Sequence, residues 1–299
     1  MEKVSIIITT LNRGMLLRTA IKSALLQTYP KTEIIIVDGS SDNETSDVLD
    51  YYKNDIIVIK HMKIGVSPAR NLGLKAATGD YVSFLDDDDC FHPRKIERQI
   101  EVFNRKKNVD IVYCPIGEKK RNYLIYQPLM EKKNRWIRLT FLQNINMTPL
   151  VRKECFSLCG TFDESLIYHE DRDMWYRMYK KFRFAFHNNI DYIVYNKNIS
   201  RLSSQVEKIC QGKILLYEKH KNDFEDKKSY YSDLDYELAY TYITFGYYGQ
   251  FLYYIKKSIK NGSKLIPARL LKYAQGPLVK RKIEIDDECK QVFPQKNPF

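Results

Sequence analysis

Short apolar runs recur through the first third of the chain, and each is followed by a stretch with helical spacing. Val4 to Thr9 has the character of a buried strand, and Met15 to Gln27 carries apolar residues at the spacing of an amphipathic helix. Glu33 to Val37 and Thr45 to Lys53 repeat the pair, and Ile56 to Lys60, Ser67 to Ala77 and Asp80 to Leu85 continue it. Strands alternating with helices predict an α/β domain with a mostly parallel sheet flanked by helices. Pro93 sits near the first turn of a further helix running to about Lys106, and Val109 to Cys114 reads as another strand. Glu118 to Arg138 is polar and basic, which predicts a loop. Beyond about Arg201 the strand signals fade, and Asp233 to Lys260 and Lys264 to Tyr273 read as helices. The expected division is an α/β domain over 1–205, split near 115 into two halves, and a helical C-terminal region over 206–299.

The stretch VSFLDDDDCFHP changes the picture, because an apolar strand runs straight into Asp86, Asp87, Asp88 and Asp89. Four like charges are ordinarily a solvated loop. These lie where a buried strand leaves its sheet, and ligands of open α/β sheets bind at that carboxyl edge. The earlier strands also end in polar residues: Thr9, Thr10 and Asn12 after the first, Asp38 to Asp42 after the second. Turn chemistry alone accounts for a Gly, Ser and Asp loop, so the argument rests on the conjunction. Arg70 and Asn71 precede the carboxylate strand and bring a cation towards it. If strand alternation persists, Asp86 and Asp88 face one side and Asp87 and Asp89 the other. Hard carboxylate oxygens at such a point suit Mg²⁺ or Mn²⁺ bridging a diphosphate.

Charge and cysteine usage narrow the surroundings. A net charge of +12 favours phosphate-bearing or polyanionic partners or an anionic membrane surface. The six cysteines form no CxxC pair and no zinc spacing, as expected of reduced thiols in the cytoplasm. No apolar run approaches the roughly 18 residues of a membrane span, so the expectation is a soluble or peripheral protein.

Four segments then carry a resemblance: VSIIITTLNR, EIIIVDGSSDNET, ARNLGLKAATGDYVSFLDDDD and FDESLIYHEDRDMWYRM, in that order between about Val4 and Ser204. Together they resemble the motifs of the GT-A fold, family 2 inverting glycosyltransferases. The likeness implies a Rossmann-like nucleotide-diphospho-sugar transferase sheet, with the D-x-D motif on Asp86 and Asp88. It implies that Asp88 ligates a divalent metal, Mn²⁺ or Mg²⁺, while Asp86 serves the donor's ribose or the metal. It further implies that Thr9, Asn12, Asp38 and Arg70 contact the nucleotide, only weakly specifying UDP. The loop here reads Asp38-Gly39-Ser40-Ser41-Asp42 and lacks the paired acid of many members; Asp42 either compensates or caps the next helix. Downstream, the likeness makes Asp171 the general base and Glu170 its orienting neighbour, with His169 and Trp175 on the acceptor side. By itself His169-Glu170-Asp171 also suits the acidic first turn of a helix, and Trp175 suits a core.

The implied reaction moves a sugar to an acceptor hydroxyl on a glycan or a lipid-linked carrier, with inversion. A haloacid-dehalogenase-like phosphotransferase also uses D-x-D, but Cys90 stands where its usual Thr or Val would be. A basic nucleic-acid-binding module is the non-enzymatic alternative; no recognised module pattern supports it, and no nucleic-acid partner is expected. The stretch from Tyr247 to Lys282 interleaves aromatics, aliphatics and Lys or Arg. It is either a packed helical appendage or an interfacial segment that seats the protein peripherally on the cytoplasmic membrane face through Phe251, Leu252, Ile255 and Leu270.

Overall fold

The structure is a computed structural model that describes residues 1–62, 65–120, 123–126, 145–195, 205–224, 227–262 and 281–293. It divides into two compact units. The first comprises Met1–Asp163, Met174–Lys197 and Lys280–Phe299; the second comprises Glu164–Asp173 and Asn198–Val279.

The first unit is built on a seven-stranded sheet in the order β10-β6-β9-β4-β1-β2-β3. Its strands are β1 (Val4–Thr10), β2 (Thr32–Asp38), β3 (Ile57–Lys60), β4 (Tyr81–Asp86), β6 (Ile111–Tyr113), β9 (Leu150–Arg152) and β10 (Phe184–Phe186). β1 pairs in parallel with β2 and β4, while β9 runs antiparallel to β4 and β6. The central strands are apolar because both faces are covered: Ile6, Ile7, Ile8, Ile35 and Ile36 have at most 1% of their surface exposed. Helices α1 (Gly14–Leu25), α2 (Asn43–Tyr51), α3 (Val66–Ala76) and α4 (Lys95–Arg105) alternate with these strands, and a short α5 (Glu154–Cys159) follows β9.

Register is what matters for function. Thr9 is level with Asp86, Thr10 with Asp38, and Asp38 with Lys60. Four strand ends therefore deliver their polar residues to one edge.

A five-stranded sheet, β12-β8-β7-β11-β5, completes this unit. It comprises β5 (Asp89–Phe91), β7 (Ile116–Lys120), β8 (Tyr123–Tyr126), β11 (Tyr192–Val194) and β12 (Arg281–Glu284). Here two expectations need correction. Part of the anticipated loop from Glu118 is the antiparallel β7–β8 pair: Tyr123, Leu124, Ile125 and Tyr126 are good strand formers that a count of charges overlooks. The chain after 280 is not wholly helical, because Arg281–Glu284 pairs with β8 and a short helix α10 (Asp287–Lys290) follows.

The second unit holds helices α7 (Val206–Lys219), α8 (Lys227–Thr244) and α9 (Tyr248–Lys260). Tyr242 and Tyr254 stack with ring centroids 5.5 Å apart, joining α8 to α9. Ile255 is buried, and with Phe251 it packs against Tyr236 and Ala239. Those two apolar residues therefore face α8, which corrects the reading of them as membrane anchors; Leu252 is exposed. Leu270 and the helix expected over Lys264–Tyr273 lie outside the described residues.

Candidate active site

At the carboxyl edge of the large sheet the four acids do not keep strand alternation. β4 ends at Asp86, and Asp87 and Asp88 form a turn before β5. This corrects the expectation that Asp86 and Asp88 share one side against Asp87 and Asp89. Asp86 Oδ1 accepts from the Arg70 guanidinium at 2.9 Å. Asp87 instead turns back towards β1, where Thr10 Oγ1 and Arg13 Nη1 donate to its two oxygens at 2.8 and 3.1 Å. The same Arg13 nitrogen lies 3.6 Å from Asp88 Oδ2. Burial pushes the Asp87 carboxyl up to about 6, against the opposing pull of Arg13 and Thr10. Arg13, although partly desolvated, is held above its ordinary value by the surrounding carboxylates.

Each acid is positioned by its own element. Arg70 is buried on α3, and its guanidinium lies 5.4 Å from the centre of the Phe162 ring. Asn71 beside it makes a two-way bond with the Phe162 backbone, donating at 3.0 Å and accepting at 2.9 Å. The Asp86 backbone N–H donates to the Tyr192 hydroxyl at 3.4 Å.

Asp38, fully buried at the end of β2, accepts from Ser40 N at 2.8 Å and from the Lys60 ammonium. Asn12 adopts a left-handed backbone, φ 53°, which Asn tolerates better than most residues. Its backbone N–H donates to Ser40 Oγ at 2.7 Å, and its side-chain oxygen accepts from Ser41 N at 2.9 Å. Asn12 thus fixes the loop after β2. Asp42 caps α2 by accepting from Thr45 N at 2.8 Å, which settles its role as a cap. Thr9 is half-buried in the row between Val37 and Asp86.

Arg13 and Lys60 were absent from the sequence-derived site, and Thr10 entered it only as a polar strand end. Lys60 was within reach of the same logic, since it is the polar terminus of the third strand. Arg13 gave no signal beyond its nearness to the end of β1, because its partner lies 74 positions away.

The second acidic group opens helix α6 (Glu170–Tyr179). Asp171 Oδ1 accepts from Arg172 N at 2.7 Å, and both Glu170 and Asp171 are half-buried. His169 precedes the helix at φ 64°, a strained setting for a histidine. Burial, then Arg172 and Lys213, hold its imidazole well below the usual value, so it is neutral at pH 7. Its Nε2 is sealed from solvent without a hydrogen-bond partner. Trp175 is fully buried and donates from Nε1 to the Asn146 carbonyl at 2.6 Å, edge-on to Phe162 at 6.4 Å. Neither ring face is open to an acceptor, which places Trp175 in the core.

Among the described residues no group of three or more His, Cys, Asp or Glu side chains is arranged to hold a metal. Mg²⁺-type ions take as few as one or two carboxylates and draw the remaining ligands from phosphate and water, so a three-acid group is not a requirement for a cation completed by its substrate.

A mostly parallel sheet with acids and cations gathered at its carboxyl edge defines an α/β protein that binds its ligand at the strand ends. The glycosyl transferase family 2 profile matches residues 5–169, and the chain belongs to that family. An uncharacterized glycosyltransferase of Rickettsia prowazekii is 34% identical over 186 residues, covering 59% of this chain and 58% of that protein. The chain thus spans little more than half the length of that relative. The Escherichia coli protein WfaP, named UDP-Glc:alpha-D-GlcNAc-diphosphoundecaprenol beta-1,3-glucosyltransferase, is 43% identical over 109 residues, 36% of this chain and 43% of its own. Among solved structures, S. aureus TarS with UDP-GlcNAc superposes with a TM-score of 0.64 at 17% identity, covering 97% of this chain and 90% of that one. A Pyrobaculum calidifontis mannosyltransferase with GDP-Man and Mn²⁺ gives 0.59 at 15%, covering 92% and 79%. These likenesses show the fold. Among the described residues no helix is long and apolar enough to cross a membrane.

Proposed function

We propose that this glycosyltransferase moves a sugar from a nucleotide-diphosphate donor, with UDP as the nucleotide, to a hydroxyl of a glycan or lipid-linked acceptor, with inversion. The observation that carries the reading is the convergence of Asp38, Arg70, Asp86 and Asp88 at one sheet edge, with Arg13 and Lys60 beside them. Asp38 and Thr9 are assigned to the nucleoside, and Asp86 to the ribose or the cation. Asp88 is assigned to the cation. A divalent ion held there would neutralise the diphosphate as it leaves, so departure needs no proton. Arg13 and Arg70 add fixed positive charge on the same side.

Inversion requires an acceptor hydroxyl to attack opposite the leaving group and a base to take its proton. Asp171 is assigned that role, with Glu170 orienting it. UDP is favoured because a relative 43% identical over 109 residues is named for UDP-Glc, and a neighbour of the same fold is solved with UDP-GlcNAc. The catalytic region is assigned to 1–205 and the helical appendage to the helices α7 to α9, while Lys280–Phe299 belongs with the first unit.

An anionic membrane face is assigned to α9, where Tyr248, Leu252 and Ile259 are exposed among Lys256 and Lys260. A lipid-linked acceptor fits that placement and a cytoplasmic location.

Calorimetric titration of UDP and GDP into the full chain tests the donor reading. UDP should bind in Mn²⁺, lose most of its affinity in chelator, and bind more tightly than GDP. Absence of binding by either nucleotide in Mn²⁺ would overturn the assignment of this edge.

A further inference from the structure

The two residues that follow Asp171 are gripped by charges from the C-terminal helices. Asp173 is fully buried, and its Oδ1 meets His220 Nε2 and Lys219 Nζ, each at 2.8 Å, at the end of α7. Arg172 is buried beside Glu237 of α8, Nη2 to Oε2 being 3.7 Å. Lys213 of α7 donates to the same Oε2 at 2.7 Å and to the Glu237 carbonyl at 3.2 Å. Glu237 is 1% exposed, and its carboxylate is shared by two buried cations, Arg172 and Lys213.

α7 also presses on the segment just before α6. A Cβ on Gly212 would lie 2.5 Å from Tyr168 Cβ and 3.4 Å from His169 Cδ2, so only glycine allows that approach. The first turn of α6 is thus fixed through Arg172, Asp173 and the 168–169 backbone. A buried ion network is weak evidence for a purely stabilising role, since well-packed apolar residues of similar volume are often as stable or more so.

We propose that His220 and Glu237 are positioning residues for catalysis: α7 and α8 set the direction of the Asp171 carboxylate through Asp173 and Arg172. The C-terminal helices are then part of the catalytic device and not a separate appendage. This rests on Asp171 being the base. The mechanism is geometric, because a displacement of about 1 Å in a catalytic group can cost roughly a hundredfold in rate. Glu237→Gln keeps the shape but removes the charge that Arg172 and Lys213 share; His220→Gln removes one grip on Asp173 without deleting a buried anion.

The test uses the full chain and reads two quantities. Backbone hydrogen exchange over 170–175 should rise at least tenfold in both variants, while exchange in α3 and the affinity for UDP with Mn²⁺ stay within twofold. Nucleotide release from UDP-glucose with Mn²⁺, or from whichever sugar nucleotide turns over fastest, should show kcat down roughly ten- to a hundredfold with little change in KM. In an Asp171→Asn background the same substitutions should cost nothing further, because their effect passes through the missing carboxylate. Unchanged exchange, or an equal loss with and without Asp171, would overturn the positioning role while sparing the base. Full turnover by Asp171→Asn alone would instead overturn the base. Should Glu237→Gln fail to fold, His220→Gln alone decides.

Discussion

Replacing Gly73 by alanine sets helix propensity against packing, and the structure decides which wins. In an open helix interior the change would stabilise by about 1 kcal/mol. Here the added Cβ would lie 2.4 Å from Ile7 Cγ2 and 3.0 Å from Val37 Cγ2. Unstrained carbon contacts sit near 3.5 to 4.0 Å, so α3 would have to lift by roughly 1 Å. Ile7 and Val37 cannot give way, because both are buried in mid-sheet and β-branched side chains have few rotamers. Overpacking typically costs about 1 to 3 kcal/mol, and an approach of 2.4 Å to a buried β-branched side chain belongs to the upper part of that range, so a cost of about 2 to 3 kcal/mol leaves a net loss of roughly 1 to 2 kcal/mol after the propensity gain. Arg70 rides on α3 three residues earlier, so UDP affinity should fall with stability. Gly249 is the control: it lies in α9, and a Cβ added there would meet no atom within 4 Å. Gly249→Ala should stabilise by roughly 0.5 to 1 kcal/mol. Urea unfolding followed by the fluorescence of the two tryptophans reads the first variant, and far-UV circular dichroism reads the second. A Gly73→Ala protein as stable as the wild type would refute the claim that α3 is seated by close contact on β1 and β2.

Further outcomes follow from the same geometry. Asp88→Asn should abolish metal-dependent nucleotide binding in calorimetry, and full activity of that variant in chelator would remove the metal role. His187 lies 3.5 Å from the buried Asp191, and burial pushes its imidazole from 6.5 down to about 4. Its unfolded form therefore binds protons first, so stability is present above pH 6.5 and is lost as pH falls towards 4, by about 3 kcal/mol in all. Stability measured by urea unfolding should change less across that range for His187→Gln; identical slopes would show that the histidine is not buried neutral. Vesicle sedimentation should show low-salt binding to anionic but not neutral lipid, lost on replacing Leu252 and Ile259 by Ser. Retention of binding by that variant would move the contact away from α9.

Much of the sheet was legible because fully buried parallel strands are nearly pure apolar runs. The polar ends of β1, β2 and β4 announced the edge, and the family resemblance ordered the motifs along it. What escaped was long-range. Arg13 meets Asp87 only through the β1 to β4 pairing, and the turn at Asp87–Asp88 broke an alternation that a continuing strand would have kept. β7 and β8 hid among lysines because their strand character lies in only a few residues. In the second unit, Glu237, Lys213 and His220 are buried in a stretch that carried no catalytic motif in the sequence. Sequence spacing says nothing about which buried charges find one another.

Turnover of sugar nucleotides tests the central claim most directly. Nucleotide release from a panel of UDP- and GDP-sugars should appear with Mn²⁺ or Mg²⁺ for at least one UDP-sugar. It should vanish in chelator and fall by roughly 10² to 10⁴ in Asp171→Asn. A folded full-length protein that releases nucleotide from no donor, or releases it equally with and without metal and Asp171, would contradict the account.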